Sequence, residues 1–163
     1  MKGIDVMDFS IKIGNNIKIE LGETKEELIY DLSCAKIRYT IPFDKTNDNN
    51  IKETILQIPS LRIEISIQND IVNYIKSGCN EYSIIFKTEG LDKKNIAVIN
   101  DLKIKIVNTF KIKSNEMFIE KINLRNFDTM VIMNSKALGK KVRLHLMSDL
   151  QGNVYINTLR YIK

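Results

Sequence analysis

The chain has 163 residues, 44% of them apolar, which suffices for one buried core and is short for two domains. Its formal net charge is +5 at pH 7, but residues 1–80 carry 10 Lys or Arg against 12 Asp or Glu, whereas residues 81–163 carry 15 against 8. The start has no signal-peptide core and no apolar run reaches the roughly 18 residues of a membrane span, so we expect a cytoplasmic protein, neither secreted nor membrane-embedded.

A β-hairpin is predicted near the N-terminus, where isoleucines alternate with polar residues. The alternation is interrupted at residues 14–16, Gly-Asn-Asn, which suits a loop between two half-buried strands. A three-residue loop places Ile13 opposite Ile17 and Ile11 opposite Ile19, so that the apolar side chains share one face. A two-residue loop mixes the faces, and we therefore predict the longer one.

A short amphipathic helix follows the hairpin. Gly22 ends the second strand, and Thr24 followed by Glu27 has the form of a capping box, in which each side chain satisfies a backbone amide at the helix start. Four apolar residues fall on the face that we expect to pack on the sheet, namely Leu28, Ile29, Leu32 and Ala35. Glu26, Glu27 and Tyr30 point away from it.

A strand and a loop are predicted after the helix. Residues 36–41 alternate in polarity and form a strand that ends at Pro42, because proline cannot donate a ladder hydrogen bond. Residues 44–50, DKTNDNN, are the most polar stretch and form a mobile surface loop.

The most regular alternation in the chain lies at residues 61–67 and predicts a strand. An Asn-Asp pair follows and suits a tight hairpin turn, which pairs Ile67 with Val72 and Ile65 with Tyr74. A strand at residues 81–87 then extends the same sheet, so this part of the chain is expected to form a meander.

The second half is predicted to add further β-structure. Strands are expected at residues 102–106, 110–113 and 129–133. Residues 115–127 fit helix and strand templates equally well, and residues 135–141 form a connector or a single helical turn. The chain ends in two β segments around a turn that contains Gly152.

These elements predict an α+β fold, mostly an antiparallel β-sheet of meanders and hairpins with one or two short helices packed on it. A single β-rich domain over residues 1–163 is expected. The segments 61–75 and 142–157 resemble each other as strand-turn-strand units, so two similar hairpin units at about residues 9–88 and 96–163 are an alternative organisation.

No residue set in the sequence predicts catalysis, a cofactor or a metal. His145 is the only histidine, which excludes a two-histidine metal site, and it lies on a strand face with Arg143 and Met147. Cys34 and Cys79 have no CxxC spacing and are interpreted as ordinary thiols. No glycine-rich phosphate-binding pattern occurs. The sequence therefore favours a binding protein over an enzyme.

An acidic cluster around the start of the predicted helix is the first candidate partner surface. Its members are Glu20, Glu23, Glu26, Glu27, Tyr30 and Asp31. Such a cluster attracts and steers a basic protein, and tyrosine is favoured in interface cores. The alternative interpretation is that these acids are solvated and complement the helix dipole.

A basic row in the second half is the alternative candidate surface. Its members are Lys103, Lys105, Lys111 and Lys113, which alternate along the predicted strands. Such a row can follow a phosphate backbone, which makes a nucleic-acid-binding module the alternative function. These strands lack stacking aromatics apart from Phe110, and lysines also protect exposed strand edges.

Three segments together carry a resemblance to a known family. They are I-x-I-x-L-G-x-T-x-E-E-L at residues 17–28, LRIEISIQNDIVNYI at residues 61–75 and VRLHLMSDLQGNVYINTL at residues 142–159. This pattern resembles the small β-rich immunity proteins of bacterial toxin systems, particularly those of contact-dependent growth inhibition. The resemblance leaves residues 88–135 uncovered.

The resemblance implies a cytoplasmic protein without catalysis of its own, which binds the toxic C-terminal domain of a cognate effector and blocks its active site. Many such toxins are nucleases with basic surfaces, so an acidic binding patch is expected on the antidote. The sequence pI is near 9.1, and the cluster from Glu20 to Asp31 is the one acidic surface that fits this expectation.

Overall fold

The computed structural model is mostly antiparallel β-sheet with a helix packed against it, which confirms the predicted fold class. The structure describes residues 3–5, 10–13, 17–77, 84–87, 104, 108, 117–123, 128–135, 140–149 and 151–162. The strands are β1 (Gly3–Asp5), β2 (Ser10–Ile13), β3 (Ile17–Glu20), β4 (Thr40–Thr46), β5 (Lys52–Ile58), β6 (Ile63–Gln68), β7 (Ile71–Lys76), β8 (Ile84–Lys87), β9 (Met117–Asn123), β10 (Asp128–Ser135), β11 (Lys140–Ser148) and β12 (Asn153–Ile162). Helix α1 spans Lys25–Cys34. No helix within the described ranges is long and apolar enough to cross a membrane.

The strands form two sheets. β1, β2 and β3 make the smaller sheet, and the larger sheet has the order β4-β5-β6-β7-β12-β11-β10-β9, with β8 also paired to β12. Every pairing between the described strands is antiparallel. Most of these pairs join strands that are consecutive in the sequence, whereas the pair of β7 and β12 joins the first and last parts of the chain. Whether the chain folds as one domain or as two hairpin units stays a prediction.

The smaller sheet and α1 share one hydrophobic core with the larger sheet. Leu28 and Leu32 of α1 are fully buried in it, together with isoleucines of β2 and β3 and alternate apolar residues of β5, β6, β7, β11 and β12. Removing apolar surface from water contributes about 25 cal/mol per Å², which makes this shared core the main force that holds α1 in place.

The predicted N-terminal hairpin is confirmed in its register. Ile11 pairs with Ile19 and Ile13 with Ile17, as the three-residue loop requires. Ile11 and Ile19 are fully buried, so the apolar face of the hairpin is the face that packs into the core. The loop itself, residues 14–16, lies outside the described residues.

The predicted capping box is also confirmed. Thr24 Oγ1 accepts a hydrogen bond from the Glu27 N–H at 3.1 Å, and Glu27 Oε2 accepts one from the Thr24 N–H at 3.1 Å. The assignment of Ala35 to the buried helix face is wrong. α1 ends at Cys34, and Ala35 is an exposed C-cap residue, so the helical spacing does not extend to it.

Replacing Thr24 with alanine is expected to destabilise the protein by about 1 kcal/mol, because the Glu27 N–H loses its acceptor at the helix start. Urea denaturation of the two proteins measures this difference. Thr24→Ser keeps a hydroxyl at the N-cap and serves as the control, with most of the stability retained. Equal losses in both variants would show that the cap hydrogen bond is not the cause.

The predicted strand at residues 36–41 is wrong in its bounds. β4 starts at Thr40 and continues through Pro42. Proline is tolerated there because β4 is an edge strand of the larger sheet and its pairing with β5 shifts register between Thr40 and Phe43. An isolated proline therefore marks an edge strand here and not a strand end.

The predicted loop at residues 44–50 is confirmed only in its second part, since its first three residues belong to β4. Asn47 organises the turn: its Oδ1 accepts hydrogen bonds from the N–H groups of Asn49 and Ile51 at 2.9 and 3.0 Å. β5 follows the turn and has no counterpart in the sequence prediction, although its alternate residues are buried.

The predicted pairing of β6 with β7 is half right. Ile67 pairs with Val72 as expected, but Ile65 pairs with Ile75 and not with Tyr74. A bulge after the first pair adds one residue to β7 and shifts the register. Because of this shift Val72 and Ile75 are both buried in the core.

The strand predicted at residues 81–87 does join the larger sheet as β8, but it pairs with β12, so the meander ends at β7. In the second half, β10 and the β11–β12 hairpin confirm the strands expected at residues 129–133 and at the chain end. β9 shows that residues 115–127 contain a strand. Ile104 has helical backbone, so the strand expected at residues 102–106 is wrong at that position.

Candidate functional site: an acidic groove

The fold brings the predicted acidic surface together in one groove of about 460 Å³. The residues that line this acidic groove are Lys18, Glu20, Glu23, Glu26, Glu27, Tyr30 and Asp31. All six residues of the predicted partner surface are among them. Lys18 is the addition that sequence analysis missed, although it shares its strand face with Glu20.

Local geometry explains why these side chains converge. Ile17 and Ile19 of β3 are buried, so the alternation of the strand turns Lys18 and Glu20 outward. Gly22 then adopts a φ of +93°, a backbone conformation that residues other than glycine rarely adopt. The chain changes direction at this residue and enters α1. The outer face of β3 and the polar face of α1 therefore border the same groove.

Glu23 is the least exposed residue of the acidic groove, with 7% of its surface accessible. Its Oε1 accepts a hydrogen bond from the Glu20 N–H at 3.1 Å, whereas Oε2 has no hydrogen-bond partner among the described residues. Its backbone is fixed to β7, because the Val72 N–H donates to the Glu23 carbonyl at 2.9 Å and the Gly22 N–H donates to the Val72 carbonyl at 2.8 Å. The carboxyl group is therefore rigidly placed.

Burial raises the pKa of Glu23 from 4.5 to about 8. Loss of hydration is the largest cause, and the negative charges of Glu20, Asp31 and Glu27 raise the pKa further, while the hydrogen bond from the Glu20 N–H lowers it. Glu23 is consequently protonated for the most part at neutral pH. A cation that enters the groove favours its ionised form.

The other charges of the groove leave an excess of negative charge. Lys18 and Glu20 form an ion pair at 3.2 Å. Glu27 is held in the capping box of α1. Glu26 and Asp31 form no ion pair with any described residue, and both are available to a cation that approaches from solvent.

Tyr30 presents an aromatic ring beside these acids and is 68% exposed. A side-chain hydrogen bond with Cys34, one helical turn later, raises the pKa of Tyr30, so the phenol stays neutral. A large exposed aromatic side chain is the type that carries binding energy in protein interfaces. Cys34 itself is an exposed free thiol, and Cys79 lies outside the described residues.

The carboxyl groups and the tyrosine of the groove are residue types that suit the binding of cations. Within the described ranges no three His, Cys, Asp or Glu side chains are placed to hold a metal ion. His145, the only histidine of the chain, lies half-buried on β11 with Arg143 and Met147 on the same face, as predicted. Its Nδ1 is 3.1 Å from the Asn157 side-chain amide.

The alternative basic row, Lys103, Lys105, Lys111 and Lys113, lies outside the described residues. The alternation argument for it assumed a strand, and the helical backbone of Ile104 removes that support at this position. The acidic groove is accordingly the candidate site with a described geometry.

Comparisons of the chain with protein-family models, with curated proteins and with solved structures gave no match. The assignment of a function therefore depends on the geometry and charge of the acidic groove.

Proposed function

We propose that this chain is a non-catalytic immunity protein that binds and neutralises the toxic C-terminal domain of a cognate contact-dependent inhibition effector in the cytoplasm. The observation that supports this most is the acidic groove, which gathers five carboxyl groups and an exposed tyrosine on a rigid support. Such a surface suits a basic protein, and a nuclease is the toxin class whose nucleic-acid-binding face has that charge.

Local charge, and not net charge, attracts the partner in this proposal. The whole chain carries +5, which repels a basic protein at long range. At physiological salt, however, charges separated by more than about 8 Å are largely screened, so the carboxylates next to the partner dominate the encounter. A second groove of about 500 Å³ adjoins the acidic groove and shares Glu26 with it, which extends the surface around the start of α1.

Reversing the two unpaired carboxylates of the groove, with Glu26→Lys and Asp31→Lys together, is expected to slow association with the toxin at least about tenfold at low salt. These positions are chosen because Glu27 caps α1 and Glu23 is buried, so lysine there would disturb the fold. The measurement is co-expression with the product of the neighbouring gene, scored by growth and co-purification, followed by association kinetics of the purified pair.

The matched control is Asp48→Lys with Glu53→Lys, which changes the net charge equally at two exposed positions outside the groove. We expect this control to bind and protect like the natural chain. If both double variants slow association equally, the groove is not the surface that attracts the toxin. Failure of the natural chain to bind or protect, combined with salt-sensitive binding to RNA or DNA, would replace the proposal with the nucleic-acid-binding alternative.

A further inference from the structure

One face of the larger sheet points away from the core and carries a row of basic side chains. The core side of four neighbouring strands is marked by a buried row that runs from β6 to β11, namely Ile65, Ile75, Leu159 and Leu144. Successive residues of a strand point to opposite faces, so the residues next to these form a row on the outer face. That row consists of Ser66, Tyr74, Arg160 and Arg143, which pair with one another in register.

Three basic residues on or beside this outer face are exposed. Arg62 and Lys76 line one cavity of about 280 Å³ next to the turn between β5 and β6, and Arg160 follows on β12. None of the three forms an ion pair with any residue that the structure describes. Glu64 lies opposite Lys76 in register, but its Oε2 accepts a hydrogen bond from Gln57 Nε2 at 2.9 Å. The cavity and the row beside it therefore have an excess of positive charge.

Arg160 lies between an aromatic ring and a second guanidinium group. It is directly opposite Tyr74 on one side and directly opposite Arg143 on the other. Like charges at directly opposed positions of an antiparallel pair are unfavourable, and an anion that binds beside both arginines offsets this cost. The tyrosine ring supplies a flat, half-buried surface next to the same charges.

We infer that the outer face of the larger sheet binds a single strand of nucleic acid. The basic strip, defined as Arg62, Lys76, Arg160 and Arg143, pairs with phosphates of the strand, and the ring of Tyr74 stacks on one base. None of these five residues lines the acidic groove, so this surface is separate from the one that the proposed function uses. Nucleic-acid binding here is consequently independent of the proposed function.

A single strand of nucleic acid fits the basic strip better than an acidic protein segment does. Lys76, Arg160 and Arg143 come from three neighbouring strands of the sheet, which lie about 4.8 Å apart, and their long side chains can follow a phosphate backbone across them. A tyrosine within a row of cations matches a chain that alternates charged phosphates with flat bases. Thr158, opposite Lys76, adds a hydroxyl that can donate to a phosphate oxygen. An acidic peptide would use the cations and leave the ring without a role.

The test measures the fluorescence anisotropy of a fluorescein-labelled RNA of ten uridines, titrated with the full chain at 50 and 200 mM salt. Each phosphate that a cation neutralises on a single strand contributes about 0.7 to the slope of log affinity against log salt. Three or four such contacts predict binding that is about 20- to 50-fold weaker at 200 mM salt than at 50 mM salt.

Removing two exposed cations, with Lys76→Ala and Arg160→Ala together, is expected to weaken RNA binding at least about tenfold at 50 mM salt and to lower the salt slope by about 1.4. The matched control is Arg38→Ala with Lys87→Ala, which removes two exposed charges that belong neither to the cavity nor to the basic strip. This control should bind the RNA like the natural chain.

Tyr74→Leu removes the ring but keeps an apolar side chain of similar length. It is expected to weaken RNA binding at least about fivefold and to leave the salt slope unchanged, because a stacked base loses its partner while the phosphate contacts remain. Tyr74→Phe keeps the ring and should bind within about twofold of the natural chain.

Absence of RNA binding at 50 mM salt, or equal weakening by the double variant and its control, overturns the inference. Unchanged RNA binding in Tyr74→Leu also overturns it, as does a labelled peptide of ten glutamates that binds as tightly as the RNA. Either of the last two results would show that the cations alone select the ligand.

Discussion

Replacing Glu23 with glutamine is expected to stabilise the protein at pH 8 by about 2–4 kcal/mol and to change its stability little near pH 4. The reason is that the pKa of Glu23 is raised from 4.5 to about 8 in the folded protein. Glutamine has nearly the same shape, retains an acceptor for the Glu20 N–H, and carries no charge that must be buried.

The sign of this effect follows from proton binding. Below pH 4.5 the carboxyl is protonated in both states, and ionisation costs the fold nothing. Between 4.5 and about 8 the unfolded chain releases the proton while the folded chain keeps it, so the free energy of unfolding falls by up to about 1.4 kcal/mol for each pH unit. Above about 8 both states are ionised and the loss is complete, with an upper limit of about 5 kcal/mol.

Urea denaturation of the natural chain and of Glu23→Gln from pH 5 to pH 9 measures this difference. The two stability curves should converge at low pH and separate as the pH rises, whereas Glu53→Gln should run parallel to the natural chain. Parallel curves for Glu23→Gln would mean that Glu23 is hydrated in the folded protein.

A gain in stability from Glu23→Gln also has a functional meaning. A single conservative substitution would remove a cost to folding, and buried carboxyl groups that cost stability are common at functional sites.

The composition of the acidic groove was predictable from sequence, but its depth was not. Strand alternation and helical spacing place Glu20, Glu26 and Asp31 on outward faces, and both periodicities are local. The burial of Glu23 depends on backbone hydrogen bonds with Val72, about fifty residues later in the chain. No pattern near Glu23 contains that information, and the burial of this residue therefore appears only in three dimensions.

The fold shows the same division between local and distant causes. The hairpin register at Ile11 and the capping box at Thr24 were predicted because neighbouring residues determine them. The bulge that pairs Ile65 with Ile75 was not predicted. It allows Val72 and Ile75 both to be buried, and that burial depends on contacts with distant parts of the core. The pairing of β8 with β12 was also missed, since it joins strands that are far apart in sequence.

Replacing Gly22 with alanine is expected to destabilise the protein by about 3 kcal/mol. A φ of +93° is strained for alanine and accounts for about 1–2 kcal/mol of this cost. The rest comes from a collision, because a Cβ at Gly22 would lie 2.8 Å from the Tyr161 hydroxyl oxygen of β12. Gly22 precedes Glu23, so the substitution also tests whether the turn sets the position of the carboxyl.

A double-mutant cycle with Tyr161→Phe separates the two costs, with the free energy of unfolding measured for all four proteins. Phenylalanine removes the oxygen that the new Cβ meets, and the next ring atom lies 3.9 Å away, at ordinary contact distance. Gly22→Ala should therefore cost at least about 1 kcal/mol less in the Tyr161→Phe background. Gly152→Ala, at a φ of +82°, supplies an independent measure of backbone strain. If Gly22→Ala lowers the free energy of unfolding equally in both backgrounds, Tyr161 moves to relieve the collision. Backbone strain alone then explains why glycine is needed at position 22.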